Sequence, residues 1–354
     1  MVTVVSVPVK FGIFDWIDRN QLALPDLYEQ RLQIIECAEE CGFYCYHIAE
    51  HHASPLNMTP SPNLFLAAAA QRTERIRLGT LVYVLPVYHP VRLAEEICML
   101  DNLSRGRLDV GVGRGISPIE LSFFNLDAGE SRAIFREALE TVTTALSTGK
   151  LSCDGKYFSF KNVELKIEPF QRPYPPLWYP TNSSDSMAWL AQEGFHTVVH
   201  YQLMPTIREL FGLYRRVWQE NSKNPKRLNA HVREPLYGIS RHVYVGESDA
   251  KAWEEAKRAL AYFNDNTSYL QSIRGDNRRK DYLNDFETRR AEGLYIAGAP
   301  ETVRQEVKKH LEVTGANYFV ASFAFGNLTA EQTLNSMRLF AREVMPAFRN
   351  ETAY

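Results

Sequence analysis

Apolar and polar positions along the 354-residue chain fall into blocks of two kinds. Short apolar runs at 9–14 (VKFGIF), 44–49 (YCYHIA), 77–83 (RLGTLVY) and 107–112 (RLDVGV) have the length and β-branched or aromatic content of strands. Similar runs stand at 177–180, 196–199, 237–245 and 317–323. Between them, apolar residues recur every three or four positions, the spacing of one helical face. That period predicts helices near 25–41, 62–73, 90–104, 130–148, 184–193, 205–221, 248–263 and 300–313, and a closing helix near 330–348. Eight strands, each followed by a helix, fit a (β/α)8 barrel better than an open doubly wound sheet. No G-x-G-x-x-G follows the first strand, which argues against a dinucleotide-binding domain. The expectation is an α/β protein, a single TIM barrel over 1–354 with insertions after strands 4 and 7.

The insertions differ in character. Residues 150–176 show hairpin-like alternation and then a proline-rich lead into strand five. Residues 264–293 are densely charged and poor in aliphatic side chains. A segment of that length on the strand-to-helix side of a barrel reads as a mobile lid.

Composition narrows the partners. Lys and Arg total 40 against 42 Asp and Glu, a formal charge of −2 that gives no electrostatic reason to expect nucleic acid or an anionic membrane. No apolar stretch approaches the roughly 18 residues of a membrane span. The opening MVTVVSVPVKFGIF lacks a basic lead and a small-residue cleavage site, so it reads as the approach to strand one, not as a signal peptide. Five cysteines suit a reducing cytoplasm, the expected location. Cys37, Cys41 and Cys45 have an even spacing that invites an iron–sulfur reading. The helical period puts Cys37 and Cys41 on one helix face and Cys45 in the next strand, so buried free thiols are expected instead.

Polar and glycine-rich residues collect where the strands should end. AEHH (49–52) closes strand two, LPVYHP follows strand three, GRG (113–115) strand four and PTNSSDS (180–186) strand five. In such barrels this carboxyl end is the functional face. Adjacent residues on a strand point to opposite sides, so His51 and His52 should not share a metal, and no metal is expected. They are either hydrogen-bonded strand-end histidines or, for one of them, a proton-transfer group oriented by Glu50 or a neighbour. The other histidines, His200 among them, read as structural. Arg114, set among Gly111, Gly113 and Gly115, offers a planar fork to a phosphate, and Arg132 opens the following helix. Ser183 and Ser186 lie at the next helix start, where free N–H groups cradle anions. The plainer alternative makes the serines caps and Arg114 an ion-pair partner.

AEHH, then GTLVYVLPVYHPVRLAEEICMLDNLSRGRLDVGVGRG, SRAIFREALE and AQEGF, resemble the bacterial luciferase-like flavin monooxygenases over most of residues 10–200. A weaker echo runs through GAPETVRQEVKKHLEVTGANYF. The resemblance implies reduced FMN supplied by a separate flavin reductase, dioxygen that adds to it as a peroxyflavin, and a small or medium apolar substrate. It implies Arg114 and Arg132 at the FMN phosphate with Ser183 and Ser186, Asn182 as a neighbouring backbone contact, and a cis Leu81–Val82 peptide under the flavin ring. It makes His51 the proton-transfer residue, and it implies a homodimer through helices flanking strands two and three. One departure is plain: Gly113 stands where luciferases carry a reactive cysteine, so light emission is not expected. A deazaflavin-dependent hydride transferase and a flavin-binding barrel without turnover are the alternatives.

Overall fold

Eight parallel strands form a ring in the computed structural model, which describes residues 9–348. They are β1 (Lys10–Asp15), β2 (Cys45–Ile48), β3 (Arg77–Thr80), β4 (Leu108–Gly113), β5 (Leu177–Trp178), β6 (Thr197–His200), β7 (Tyr237–Val245) and β8 (Tyr318–Ser322). Each pairs with the next from β1 to β5. A Trp178–His196 bridge then joins β5 to the start of β6, with Tyr179 N on His196 O at 2.9 Å and His196 N on Leu177 O at 3.0 Å. The circuit runs on through β6–β7, β7–β8 and β8–β1. The barrel expected from the alternation is the fold observed. Residues 1–8 of the apolar lead-in lie outside the described residues.

The helices sheathe this ring because each buries one apolar stripe. In α1 (Leu24–Glu40) the stripe is Leu27, Ile34, Ile35 and Ala38. α2 (Pro62–Arg72), α3 (Pro90–Leu103), α4 (Ser131–Thr148), α5 (Ser184–Glu193), α6 (Met204–Asn221), α7 (Asp249–Ser272) and α8 (Pro300–Thr314) follow, and α9 (Ala330–Leu339) closes the chain before a π turn and a 3₁₀ turn. α4 stops at Gly149, whose φ of +69° is open to glycine and strained for other residues. No helix among the described residues is long and apolar enough to cross a membrane.

Inside the ring, Trp178, Tyr318 and His47 are fully buried. They fit because Gly12 and Gly79 carry no side chain: a Cβ on Gly12 would meet the Tyr318 hydroxyl at 1.8 Å, and one on Gly79 would meet His47 Nδ1 at 2.6 Å. The barrel is filled from below, so an open site is left only at the carboxyl ends of the strands.

Three elements differ from expectation. The run at 77–83 breaks at Leu81–Val82, whose peptide is cis, and resumes as Tyr83–Val84 beside Val112–Gly113. α7 continues nine residues past 263, because its polar residues Asn264, Asn266 and Ser268 are buried against neighbours instead of ending the helix. A further strand, Tyr295–Gly298, lies along the second half of β7; only four residues long and directly behind a charged segment, it gave no pattern to find. Within 264–293 the chain also forms helices Arg278–Asn284 and Phe286–Ala291, with Leu283 and Arg289 buried. Residues 150–164 form an antiparallel hairpin.

Candidate active site

A cavity of about 620 Å³ opens at the carboxyl end of the barrel. His51, Leu81, Val82, Arg114, Arg132, Asn182, Ser183 and Ser186 all line it. Five separate loops or helix starts therefore deliver the residues singled out in the sequence to one place.

One end of the cavity is cationic. Arg114 leaves β4 and reaches Ser131 Oγ with Nη1 at 3.5 Å, and Arg132 sits in the first turn of α4. Tyr179 reports the cluster: burial pushes its hydroxyl up, while Arg114, Arg132 and Arg136 pull the other way. The first turn of α5 opens here with its N–H groups, whereas at the start of α4 Ser131 N and Ala133 N already bond Ala128 O and Glu130 O. Ser183 occupies the N-cap position of α5, yet its side chain makes no cap bond. Its hydroxyl is thus available to a ligand, which separates it from a plain cap. Asn182 uses its side chain on His200 O at 2.9 Å. This donor set matches a phosphate: two guanidinium groups, hydroxyls and helix N–H groups.

The floor is close-packed backbone. A Cβ on Gly111 would meet Thr80 O at 2.1 Å, and one on Gly113 would meet Val82 Cγ2 at 2.6 Å. With Val82 in this position, residue 113 has no room for a cysteine side chain.

The histidine pair requires a correction. Alternation along a strand would send His51 and His52 to opposite faces, but β2 ends at Ile48, and both rings line the cavity. Each has its own carboxylate. His51 Nδ1 lies 3.1 Å from Glu120 Oε1, and His52 Nε2 lies 2.9 Å from Glu50 Oε1. Glu50 is buried and also accepts Val84 N at 3.2 Å and the Tyr88 hydroxyl at 2.8 Å, so it ties the histidine loop to the chain just past the cis peptide. Burial and then Glu50 hold the Tyr88 hydroxyl in its protonated, donating form.

Glu120 was not found in the sequence. It lies in the short helix Pro118–Phe123, where Ser117 Oγ accepts Glu120 N at 3.2 Å. Its carboxylate turns back to accept from His52 N at 2.9 Å as well as from His51. Burial pushes the Glu120 carboxyl up, but His51 and His52 outweigh it and hold the group below its usual range. An ionised Glu120 selects the Nδ1–H form of His51, leaving Nε2 free. Phe14 and Trp16 from the end of β1, Leu56, and His200 and Tyr201 from the end of β6 complete the walls. His200, expected to be structural, lies on the cavity; burial pulls its imidazole down to about 3, so it presents a neutral ring.

The sequence matches the family described as luciferase-like monooxygenase over residues 9–318. An uncharacterized protein of Sinorhizobium fredii, y4wF, is 36% identical over 337 residues, 95% of this chain and 96% of that protein. The oxygenase component of the flavin-dependent trigonelline monooxygenase of Acinetobacter baylyi is 26% identical over 360 residues, 96% of each chain. Among solved structures, monooxygenase RslO1 from Streptomyces bottropensis superposes with a TM-score of 0.82 at 28% identity, covering 96% of this chain and 99% of that one.

Proposed function

Since the chain belongs to the luciferase-like monooxygenase family, we propose that it is the oxygenase component of a two-component system. It takes reduced FMN from a separate flavin reductase and uses dioxygen to oxidise a small or medium apolar organic molecule. The convergence of the Arg114–Arg132 end, the Leu81–Val82 floor and the His51–Glu120 pair on one cavity carries this reading. The relative from Acinetobacter baylyi, a flavin-dependent oxygenase component, supports both the flavin and the separate reductase.

Each residue then has a task. Arg114, Arg132, Ser183 and Ser186 hold the phosphate, and Asn182 braces their loop against His200 O. The Leu81–Val82 edge would support the flavin ring system. Reduced FMN, when bound, supplies the electrons that activate dioxygen. His51 gives or takes a proton at Nε2, with Glu120 fixing its orientation from Nδ1. Phe14, Trp16 and Leu56 offer an apolar wall to the substrate. The cavity's size falls within the roughly 300–1,000 Å³ of small-ligand sites.

The test is an anaerobic titration with reduced FMN, followed by dioxygen and a substrate panel, with products identified by mass. FMN should bind, and Arg114→Ala should weaken it about ten- to a hundredfold while leaving the fold intact, because a charge-assisted contact is lost. Preference for a deazaflavin would move the protein to hydride transfer. FMN binding with no product from any substrate would leave a non-catalytic barrel.

The segment 264–293 completes the proposal as a lid. Thr267, Leu270, Gln271 and Arg279 already line the cavity from this side. Trypsin should cut near Arg274–Lys280 in the free enzyme and slow when FMN and substrate are bound. An unchanged cutting rate would make the segment a surface insertion.

A further inference from the structure

The cavity carries one cation more than the flavin reading uses. Three arginines line it, Arg114, Arg132 and Arg279, and two carboxylates, Glu50 and Glu120. Both carboxylates are engaged by histidines, Glu50 by His52 and Glu120 by His51. A phosphate dianion would take the charges of Arg114 and Arg132. Arg279 remains.

Its position sets it apart from the phosphate end. Arg279 stands in the first turn of the helix Arg278–Asn284, in the chain that follows β7, with β5 and β6 between it and β4 on the shorter path around the ring. Its neighbours are committed elsewhere: Arg278 to Asp276 at 2.7 Å and Lys280 to Asp265 at 2.8 Å. Among the described residues no carboxylate pairs with Arg279. Its Nη2 donates to Thr267 Oγ1 at 3.4 Å, a long contact that leaves most of the fork unused. Thr267 and Gln271 are four residues apart on α7, hence on one face, and both line the cavity. Gln271 brings an amide to the same wall, and its NH₂ group can donate to an acceptor. The cavity is also lined by the apolar side chains of Trp16 and Leu270.

We propose that Arg279, with Thr267 and Gln271, forms a carboxylate clasp, and that the substrate is an apolar body bearing one carboxylate at the mouth of the cavity. The apolar part then lies toward the flavin, and the charged end stays near solvent, where its desolvation is smaller. A guanidinium fork matches a carboxylate in two parallel hydrogen bonds. The proposal rests on the flavin reading only in giving Arg114 and Arg132 to the phosphate.

The experiment titrates FMN-loaded protein calorimetrically with benzoate and octanoate, each beside its primary amide. At least one carboxylate should bind about tenfold tighter than its amide, and Arg279→Gln should abolish that preference. Arg278→Gln, one residue away, should retain it, and Arg279→Lys should restore part of it. Neither Gln variant should change the affinity for FMN. The clasp is overturned if amides bind as well as carboxylates, if no carboxylate binds, or if Arg279→Gln keeps the preference. Failure of the flavin reading shows separately, as absent FMN binding by the wild-type protein before any carboxylate is added.

Discussion

His51→Ala should retain FMN affinity and lower turnover by about 10²–10⁴, the usual contribution of a positioned proton-transfer group. The imidazole has a carboxylate behind it and a ring nitrogen free in front: Nδ1 faces Glu120 at 3.1 Å, and the side chain is only 20% exposed. Glu120 reaches the chemistry through His51, so the two should not act additively. Glu120→Ala should reduce kcat by less than His51→Ala with KM little changed, and the double variant should be no worse than His51→Ala alone. Additive losses would give Glu120 a role of its own. His52→Ala should cost less turnover, for a different reason from strand alternation: its ring packs edge-on to Phe124 at 4.8 Å, and its partner Glu50 is tied to Val84 N and the Tyr88 hydroxyl, so the pair braces the loop. A reversed ranking of the two histidines would transfer the proton role to His52.

Much of the barrel was legible because its alternation is long-range and redundant. Eight apolar runs interleaved with helical periods leave few topologies, and misplacing the end of one strand does not change the count. The phosphate end was legible for a similar reason, since Arg114 among glycines, Arg132 at a helix start and Ser183 at another all occupy predictable strand ends. Glu120 was not, because its partner His51 lies 69 residues away and nothing local records the pairing. A local signal does exist: Ser117-Pro-Ile-Glu120 has the S-x-x-E spacing of a helix start, which would have placed a short helix beside the mouth. Even so, the spacing would have assigned Glu120 to capping, whereas its carboxylate faces the histidines. His51 and His52 share the cavity because β2 stops two residues before Glu50, and strand ends are the least certain feature of any pattern. The polar residues of α7 misled in the other direction. Asn264 and Asn266 look like a helix end, but Asn266 is occupied by Asp18 at 3.0 Å and by Arg19 O at 2.7 Å, contacts that only the tertiary fold supplies.

Acid should unfold the protein steeply between about pH 6 and 4, and the cause lies beneath the site. Burial pulls His47 down to about 4, and His196, His200, His242 and His310 to about 3. An unfolded histidine titrates near 6.5. Between those values each imidazole stays neutral in the fold and takes up a proton on unfolding, so the unfolded state binds more protons and stability falls as pH falls. Each contributes a slope of up to about 1.4 kcal/mol per pH unit, hence about 7 kcal/mol per unit for five, against a typical total of about 5–15 kcal/mol. Asp18 works in the opposite direction. Burial raises its carboxyl to about 7, so as pH falls from there toward the unfolded value near 4 it binds a proton in the fold first and adds stability. Burial raises the Asp101 carboxyl as well; two carboxyls against five imidazoles leave the net slope destabilising. The urea midpoint measured from pH 7 to 4.5 should therefore drop steeply below pH 6. His242 offers the cleanest variant, because its ring stacks on Trp16 at 5.3 Å, meets Phe263 and Phe325, and leaves Nε2 without a partner. His242→Phe keeps the aromatic packing, loses only the 3.4 Å contact between Nδ1 and the Tyr201 hydroxyl and removes one titrating group, so it should flatten the slope by about a fifth and move the acid midpoint to lower pH. A urea midpoint that stays level from pH 7 to 5 in the wild-type protein would mean that these imidazoles take up protons within the intact barrel.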